Sequence, residues 1–160
     1  MSLAEILCAA YISLSLPNAN VACKHMDTVV SSASEHDVDP TIMISLIHVE
    51  SRWTPTARSQ SNACGLTQII PKYSGGYRNR FGQKLTCQQL YDPEASIKRG
   101  TKILSYYLKR YDGNHKRSLC SYNAGWTRCK KPNGTHKGYK YALRVMKLSS
   151  RLQRLVDSSR

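Results

Sequence analysis

Apolar residues recur at helical spacing along most of the chain and lose that order in one long middle stretch. In Lys24–His36, Met26, Val29, Val30 and Ala33 share one side, which predicts an amphipathic helix. Asp39 followed by Pro40 reads as an N-cap and first helical position, because proline has no N–H to lose there. Ile42, Met43, Leu46, Ile47 and Val49 then leave almost no polar face, so this helix should be largely buried. From Trp53 to Gln83 the pattern breaks down, punctuated by Pro55, Pro71, Gly65, Gly75, Gly76 and Gly82. Only a short helix around Leu66–Ile70 is expected there. Asp92-Pro93-Glu94 opens another helix with Ile97, Thr101, Leu104, Leu108 and Tyr111 along one side, Lys109 and Arg110 near its end, and Gly113 to stop it. A short helix follows near Lys116–Ala124. The last runs from Gly138 to Val156, with Tyr141, Val145, Leu148, Leu152 and Leu155 as a core stripe and Lys140, Arg144, Lys147, Arg151 and Arg154 as a basic outer side. No strand pattern or internal repeat is persuasive. The fold class is all-α, with an irregular, hairpin-like segment after Glu50.

Residues 1–22 read in two ways. Ile6 to Leu16 could be the apolar core of a secretory leader, with Pro17 as the break and Ala22 as the cleavage position. Against this, the first residues hold Glu5 and no Lys or Arg, and Asn20 is a poor residue before such a cut. The other reading is an N-terminal helix of the domain that packs Leu3, Ile6, Leu7 and Tyr11.

A length of 160 residues is one domain, large enough to bury its own core. No apolar run reaches the roughly 18 residues of a membrane span. With 24 Lys and Arg against 10 Asp and Glu, the formal charge is +14. Such a surface seeks a polyanion: nucleic acid, an anionic membrane, or an acidic wall polymer. The cysteines at 8, 23, 64, 87, 120 and 129 include no C-x2-C pair and the histidines are scattered, which makes poor zinc sites. One or two disulfides in an exported protein is the expectation. Removal of a leader would take Cys8 with it and leave at least one cysteine unpaired.

Glu50 carries the candidate chemistry. It lies in the last turn of the apolar helix, with Met43, Leu46 and Ile47 seven, four and three residues before it on the same side. Partial desolvation and the negative end of the helix dipole both raise its pKa, which is how a glutamic acid stays protonated and serves as a general acid near neutral pH. The plainer reading is a Glu at a helix end facing water, paired with Arg52.

Four strings then occur in order: Glu50-Ser51, Gly65-Leu66-Thr67-Gln68, Ser121-Tyr122-Asn123-Ala124-Gly125, and Tyr141-Ala142-Leu143-Arg144-Val145. Together, over roughly residues 38 to 146, they resemble the soluble lytic transglycosylases, whose motifs are an E-S pair ending a buried helix, G-L-M-Q, A-Y-N-A-G and a late Y-V-x-x-V. Thr67 replaces the usual Met, Ser121 the usual Ala, and the acidic residue often found before the late Tyr is missing. The resemblance implies a lysozyme-like domain over 23–160 that cuts peptidoglycan between N-acetylmuramic acid and N-acetylglucosamine. By the same resemblance Glu50 would be the single catalytic acid and base. Ser51 would orient it or the sugar, Gly65, Gln68, Tyr122 and Asn123 would line the substrate groove, and the Tyr141 hydroxyl would hydrogen-bond Glu50. Core packing with a polar tip is the alternative for both tyrosines. The family also suggests Cys23 paired with Cys87, and small buried packing thiols at Cys64 and Cys120.

The residues speak to mechanism independently. Glycosidases usually need two carboxylates, yet no Asp or Glu lies between Ser51 and Tyr91, where six Lys and Arg occur. That favours a reaction in which Glu50 acts twice and the substrate's own C6 hydroxyl attacks, giving a 1,6-anhydro end. Asp92 and Asp112 are the remaining candidates for a hydrolytic partner and read instead as cap and turn residues. His48, two residues from Glu50, should lie on a different side of the helix. Asn133-Gly134-Thr135 matches a glycosylation sequon and reads as a turn. No metal and no cofactor is expected. The expected partners are glycan strands and anionic envelope polymers, with the chain a monomer that is periplasmic or secreted, or phage-encoded and acting on the host periplasm. Endolysin, virion enzyme and secretion or conjugation enzyme all remain open. A hydrolytic lysozyme of the same fold is the competing enzyme. A nucleic-acid-binding protein would need a recognition helix rich in Arg, Asn or Gln, and none is found.

Overall fold

A computed structural model describes residues 1–131 and 136–160, so the Asn133-Gly134-Thr135 sequon lies outside the described residues. The helices are α1 (Leu3–Ser13), α2 (Ala19–Lys24), α3 (Met26–Glu35), α4 (Pro40–Ser51), α5 (Cys87–Leu90), α6 (Pro93–Arg110), α7 (His115–Ala124) and α8 (Lys137–Ser158). Among the described residues there is no strand, only isolated bridges from Cys64 to Arg58 and to Ile69. None of these helices is long and apolar enough to cross a membrane.

Helix α4 is the buried axis. The Asp39 carboxylate accepts the Thr41 N–H at 2.8 Å, and Pro40 stands at the first helical position. From Thr41 to Ile47 every residue is buried. Each large apolar side chain taken fully out of water contributes about 1.5–3 kcal/mol. The helix packs against α3 and α8. Tyr141, Val145, Leu148 and Leu152 of α8 turn inward, while Lys140, Arg144, Lys147, Arg151 and Arg154 stay exposed. A buried hydrogen bond of 2.7 Å between the Thr41 and Ser149 hydroxyls pins α4 to α8.

Asp92 caps α6 through the Ala95 N–H at 3.0 Å, and Ile97, Thr101, Leu104 and Leu108 are its buried side. Gly113, at φ +81°, donates its N–H to the Leu108 carbonyl at 2.7 Å and ends the helix. Helix α7 is wedged between α6 and α8. At the other end of the molecule α1 buries Leu7 and Tyr11 completely.

Two expectations from the sequence fail. No helix forms over Leu66–Ile70, because Cys64 and Ile69 exchange both backbone hydrogen bonds (2.9 and 3.1 Å) and fold residues 65–68 into a turn. Gly65 and Gln68 both take positive φ there, which no α-helix accommodates. The cysteines pair as Cys8–Cys23, Cys64–Cys87 and Cys120–Cys129. Cys23 and Cys87 are therefore not partners, Cys64 and Cys120 are not packing thiols, and there are three disulfides rather than one or two. Short α2 brings Cys23 back beside Cys8, and short α5 brings Cys87 up to the turn at Cys64.

The loop between α4 and α6 is held from below by Arg99 of α6, which donates to the carbonyls of Ser74 (2.7 Å) and Gln83 (2.9 Å). The Ser74 hydroxyl in turn accepts the Leu85 N–H at 2.7 Å. Leu46, fully buried in the middle of α4, tests the weight of this axis. Leu46→Ala should lower the unfolding free energy in urea by about 2–5 kcal/mol. Lys102→Ala, on the exposed side of α6, should change it by no more than about 0.5 kcal/mol.

Candidate active site

Helix α4 stops abruptly after Ser51. Arg52 and Trp53 both adopt left-handed φ values, +50° and +59°, and Trp53 is driven completely into the core. This sharp exit leaves Glu50 in the final turn, half-buried at the edge of a cleft. Burial pushes its carboxyl up from 4.5 to about 7; the Tyr141 hydroxyl and the Arg144 guanidinium pull in the other direction. The Tyr141 phenol is buried and has no protein hydrogen-bond partner of normal geometry. Its own ionisation is pushed far up, chiefly by burial and then by the neighbouring Glu50 carboxylate, against a smaller opposing pull from Arg144.

Ser51 is buried behind Glu50 and donates its hydroxyl to the Leu66 carbonyl at 2.8 Å. This contact fixes the 65–68 turn to the end of α4. Gly65 has φ +83°, and a Cβ there would lie 2.1 Å from the Leu90 carbonyl oxygen, so only glycine lets the turn approach α5. Thr67 is fully buried against α6: its N–H reaches the Ser96 hydroxyl at 3.1 Å and its own hydroxyl donates to the Ser96 carbonyl at 2.9 Å. Gly100 makes room for it, since a Cβ at 100 would stand 2.6 Å from the Thr67 methyl group. The Tyr122 hydroxyl donates to the Thr67 carbonyl at 2.7 Å and closes the link from α7. Gln68 spends its amide N–H groups on the carbonyls of Ala57 and Gly65, both at 3.0 Å, which leaves its Oε1 for the cleft.

The cleft has a volume of about 1170 Å³. Glu50, Gln68, Tyr122 and Asn123 line it, whereas Ser51, Gly65 and Tyr141 lie behind its wall. Glu50 is the only carboxylate in the lining among the described residues. Asp92 is the α6 cap, and Asp112 sits at φ +52° in the turn after α6. His48 faces another way, with its Nδ1 3.3 Å from the Tyr11 hydroxyl.

The residue-level reading of the sequence missed most of the cleft's walls. Tyr73, Tyr77, Phe81, Tyr106, Tyr107 and Trp126 present aromatic surface, with Arg80 over the Tyr106 ring at 4.5 Å and Arg110 over Trp126 at 5.5 Å. A signal was present in Lys72–Phe81, where aromatic and basic residues interleave between glycines. The Tyr106 and Tyr107 pair sits beside, not on, the core stripe of α6.

The Transglycosylase SLT domain model matches residues 27–145. The chain belongs to that family. It is 38% identical over 88 residues to membrane-bound lytic murein transglycosylase E of Buchnera aphidicola, covering 53% of this chain and 40% of the relative. It is 29% identical over 114 residues to membrane-bound lytic murein transglycosylase C of Glaesserella parasuis, covering 65% of this chain and 31% of the relative. The chain thus spans less than half the length of these relatives. Among solved structures, an inactive mutant of lytic transglycosylase Slt from Pseudomonas aeruginosa superposes with TM-score 0.72 at 24% identity, over 82% of this chain and 24% of that one. The 70 kDa soluble lytic transglycosylase of Escherichia coli gives TM-score 0.72 at 22% identity, over 95% and 29%. The fold is therefore the all-α, lysozyme-like fold of those enzymes.

The raised Glu50 pKa has a thermodynamic sign. Folding disfavours the charged form, so its contribution is most favourable where the carboxyl is neutral in both states, below 4.5, and worsens as pH rises to about 7. At 1.36 kcal/mol per unit, reduced for the carboxyl's partial contact with solvent, the loss is about 2 kcal/mol. Glu50→Gln should therefore be more stable than the wild type by about 2 kcal/mol at pH 8 and equal to it at pH 4, read from urea midpoints.

Proposed function

We propose that this protein cleaves the β-1,4 bond between N-acetylmuramic acid and N-acetylglucosamine in peptidoglycan, with Glu50 as sole acid and base, and leaves 1,6-anhydro ends. The observation that carries the proposal is a single carboxyl, raised by burial, in an aromatic cleft whose lining holds no second carboxylate among the described residues. Membership of the family and the names of its relatives supply the substrate class.

In this reading the protonated Glu50 gives its proton to the bridging oxygen as the bond from C1 to that oxygen breaks. The substrate's N-acetyl group stabilises the positive centre at C1. Glu50, now a carboxylate, takes the proton from the C6 hydroxyl while O6 bonds to C1. The carboxyl ends as it began and no water is consumed. A hydrolase usually has a second carboxylate to activate water or to form a glycosyl intermediate. Tyr141 and Arg144 keep the carboxyl from becoming too weak an acid to give up its proton in the first half. Ser51 and Gly65 act as positioning residues through the 65–68 turn, and Gln68 Oε1, Asn123 and the aromatic faces contact sugar. Tyrosine and tryptophan suit this task because each offers an apolar face and a polar edge.

We read residues 3–13 as part of the folded domain: Leu7 and Tyr11 are core residues and Cys8 is tied to Cys23. Action in the periplasm or outside the cell agrees with three disulfides.

Mass spectrometry of purified peptidoglycan digests tests the chemistry. Wild type should release anhydro-muropeptides and Glu50→Gln should release none; reducing ends one water heavier would establish hydrolysis instead. Because the free enzyme must carry a protonated Glu50, kcat/KM should fall about tenfold per pH unit above about 7. Tyr141→Phe removes an influence that lowers the Glu50 pKa, so that limb should move to higher pH.

A further inference from the structure

Beside the cleft, across the C-terminal turn of α4, lies a second recess of about 340 Å³. Four cationic residues line it: Arg52 from the end of α4, and Arg144, Lys147 and Arg151 from successive turns of α8. Among the described residues no carboxylate lines it. The single ion pair among the described residues, Lys98 with Glu94, is elsewhere on α6. These exposed cations come from two helices and border one concavity whose lining also includes the apolar Val49 and Leu148. The recess is also built firmly. Arg52 is held in a left-handed conformation, and its carbonyl accepts the Asn18 side-chain N–H at 2.8 Å. Tyr11 gives its proton to the Pro17 carbonyl at 2.9 Å, and its oxygen lies 3.3 Å from His48 Nδ1.

We propose that this recess binds a phosphate group presented by the bacterial envelope. Three guanidinium forks and an ammonium exceed what one carboxylate's two oxygens can satisfy, while a phosphate offers more acceptors and more charge. The envelope as the source rests on the peptidoglycan reading, but binding is measured without peptidoglycan, so the two can fail separately. Occupancy has a consequence for the cleft. Around Glu50 stand Tyr141 and Arg144 of α8 and Tyr122 of α7. Of these, Arg144 is the one cation, and an anion resting on it weakens its pull on the carboxyl.

Titration calorimetry with inorganic pyrophosphate tests the site on three proteins: wild type, Lys147→Gln with Arg151→Gln, and Lys102→Gln with Lys109→Gln. The last pair makes the same charge change on exposed α6. Wild type should bind one pyrophosphate per chain, and the α8 pair should weaken it about tenfold or more by removing two of four charge-assisted contacts. The α6 pair should weaken it less than about twofold, the scale of distant screened charges. Equal weakening by both pairs, or no binding by wild type, overturns the proposal. Thermal melting of each variant checks that the fold is intact. The same three proteins are then mixed with soluble poly(glycerol phosphate) and with vesicles containing phosphatidylglycerol. The arm whose binding falls with the α8 pair alone identifies the source as polymer or lipid. A fall in neither arm overturns the envelope assignment.

Discussion

The free-energy cost of ionising one carboxyl at the end of a buried helix is the constraint on which the rest of the structure turns. A Glu50 fully in water would be deprotonated long before neutral pH, and one sealed in the core would hold its proton too tightly to donate it. Burial of α4 supplies the upward push, and Tyr141 with Arg144 supplies the restraint. Both restraining groups lie one turn apart on α8, so the packing of α8 on α4 sets the balance as much as α4 does. The Thr41–Ser149 hydrogen bond, buried between the same two helices, holds that packing in register.

The walls of the cleft combine faces of α6 and α7 with a long stretch of little regular structure between α4 and α5, and that stretch is tied down. The 65–68 turn is joined to α4 through Ser51, to α6 through Thr67 and to α7 through Tyr122. The Cys64–Cys87 disulfide fastens the start of that turn to α5. Cys120–Cys129 does the same for the corner that carries Tyr122, Asn123 and Trp126. Irregular backbone gives the cleft its shape, and covalent and buried polar links spare it the loss of order that such backbone usually brings.

The long helices were legible because their signals are local. The Asp39-Pro40 and Asp92-Pro93 starts and the stripes of α6 and α8 need only neighbours in sequence to be read. Helices α2 and α5 are a turn or so long, too short for periodicity to declare them. The turn at Gly65 looked helical because Leu66, Ile69 and Ile70 are apolar, and only the pairing of Cys64 with Ile69 reverses that reading. The pairing of the cysteines is not legible for a related reason: Cys23 meets Cys8 only once α2 turns back on α1, and Cys87 meets Cys64 only through α5 and the turn, so the resemblance alone pointed to Cys23 with Cys87. Glu50, Gln68, Tyr122 and Asn123 were found through the strings that surround them. The outer aromatics belong to no string: Tyr73, Tyr77 and Phe81 lie on the loop held by Arg99, Tyr106 and Tyr107 on α6, and Trp126 just after α7, and only the fold brings them together.

One contact in this scaffold bears on how sequences related to this one should be aligned. Thr67 stands where its family usually carries methionine, and it is packed so closely on Gly100 that a single added carbon at 100 would overlap it. The two positions are 33 residues apart in the chain and share one small volume. They form a steric pair, and variation at one is constrained by the other: a relative with a bulkier residue at either position must have moved the turn, shifted α6, or surrendered volume at its counterpart.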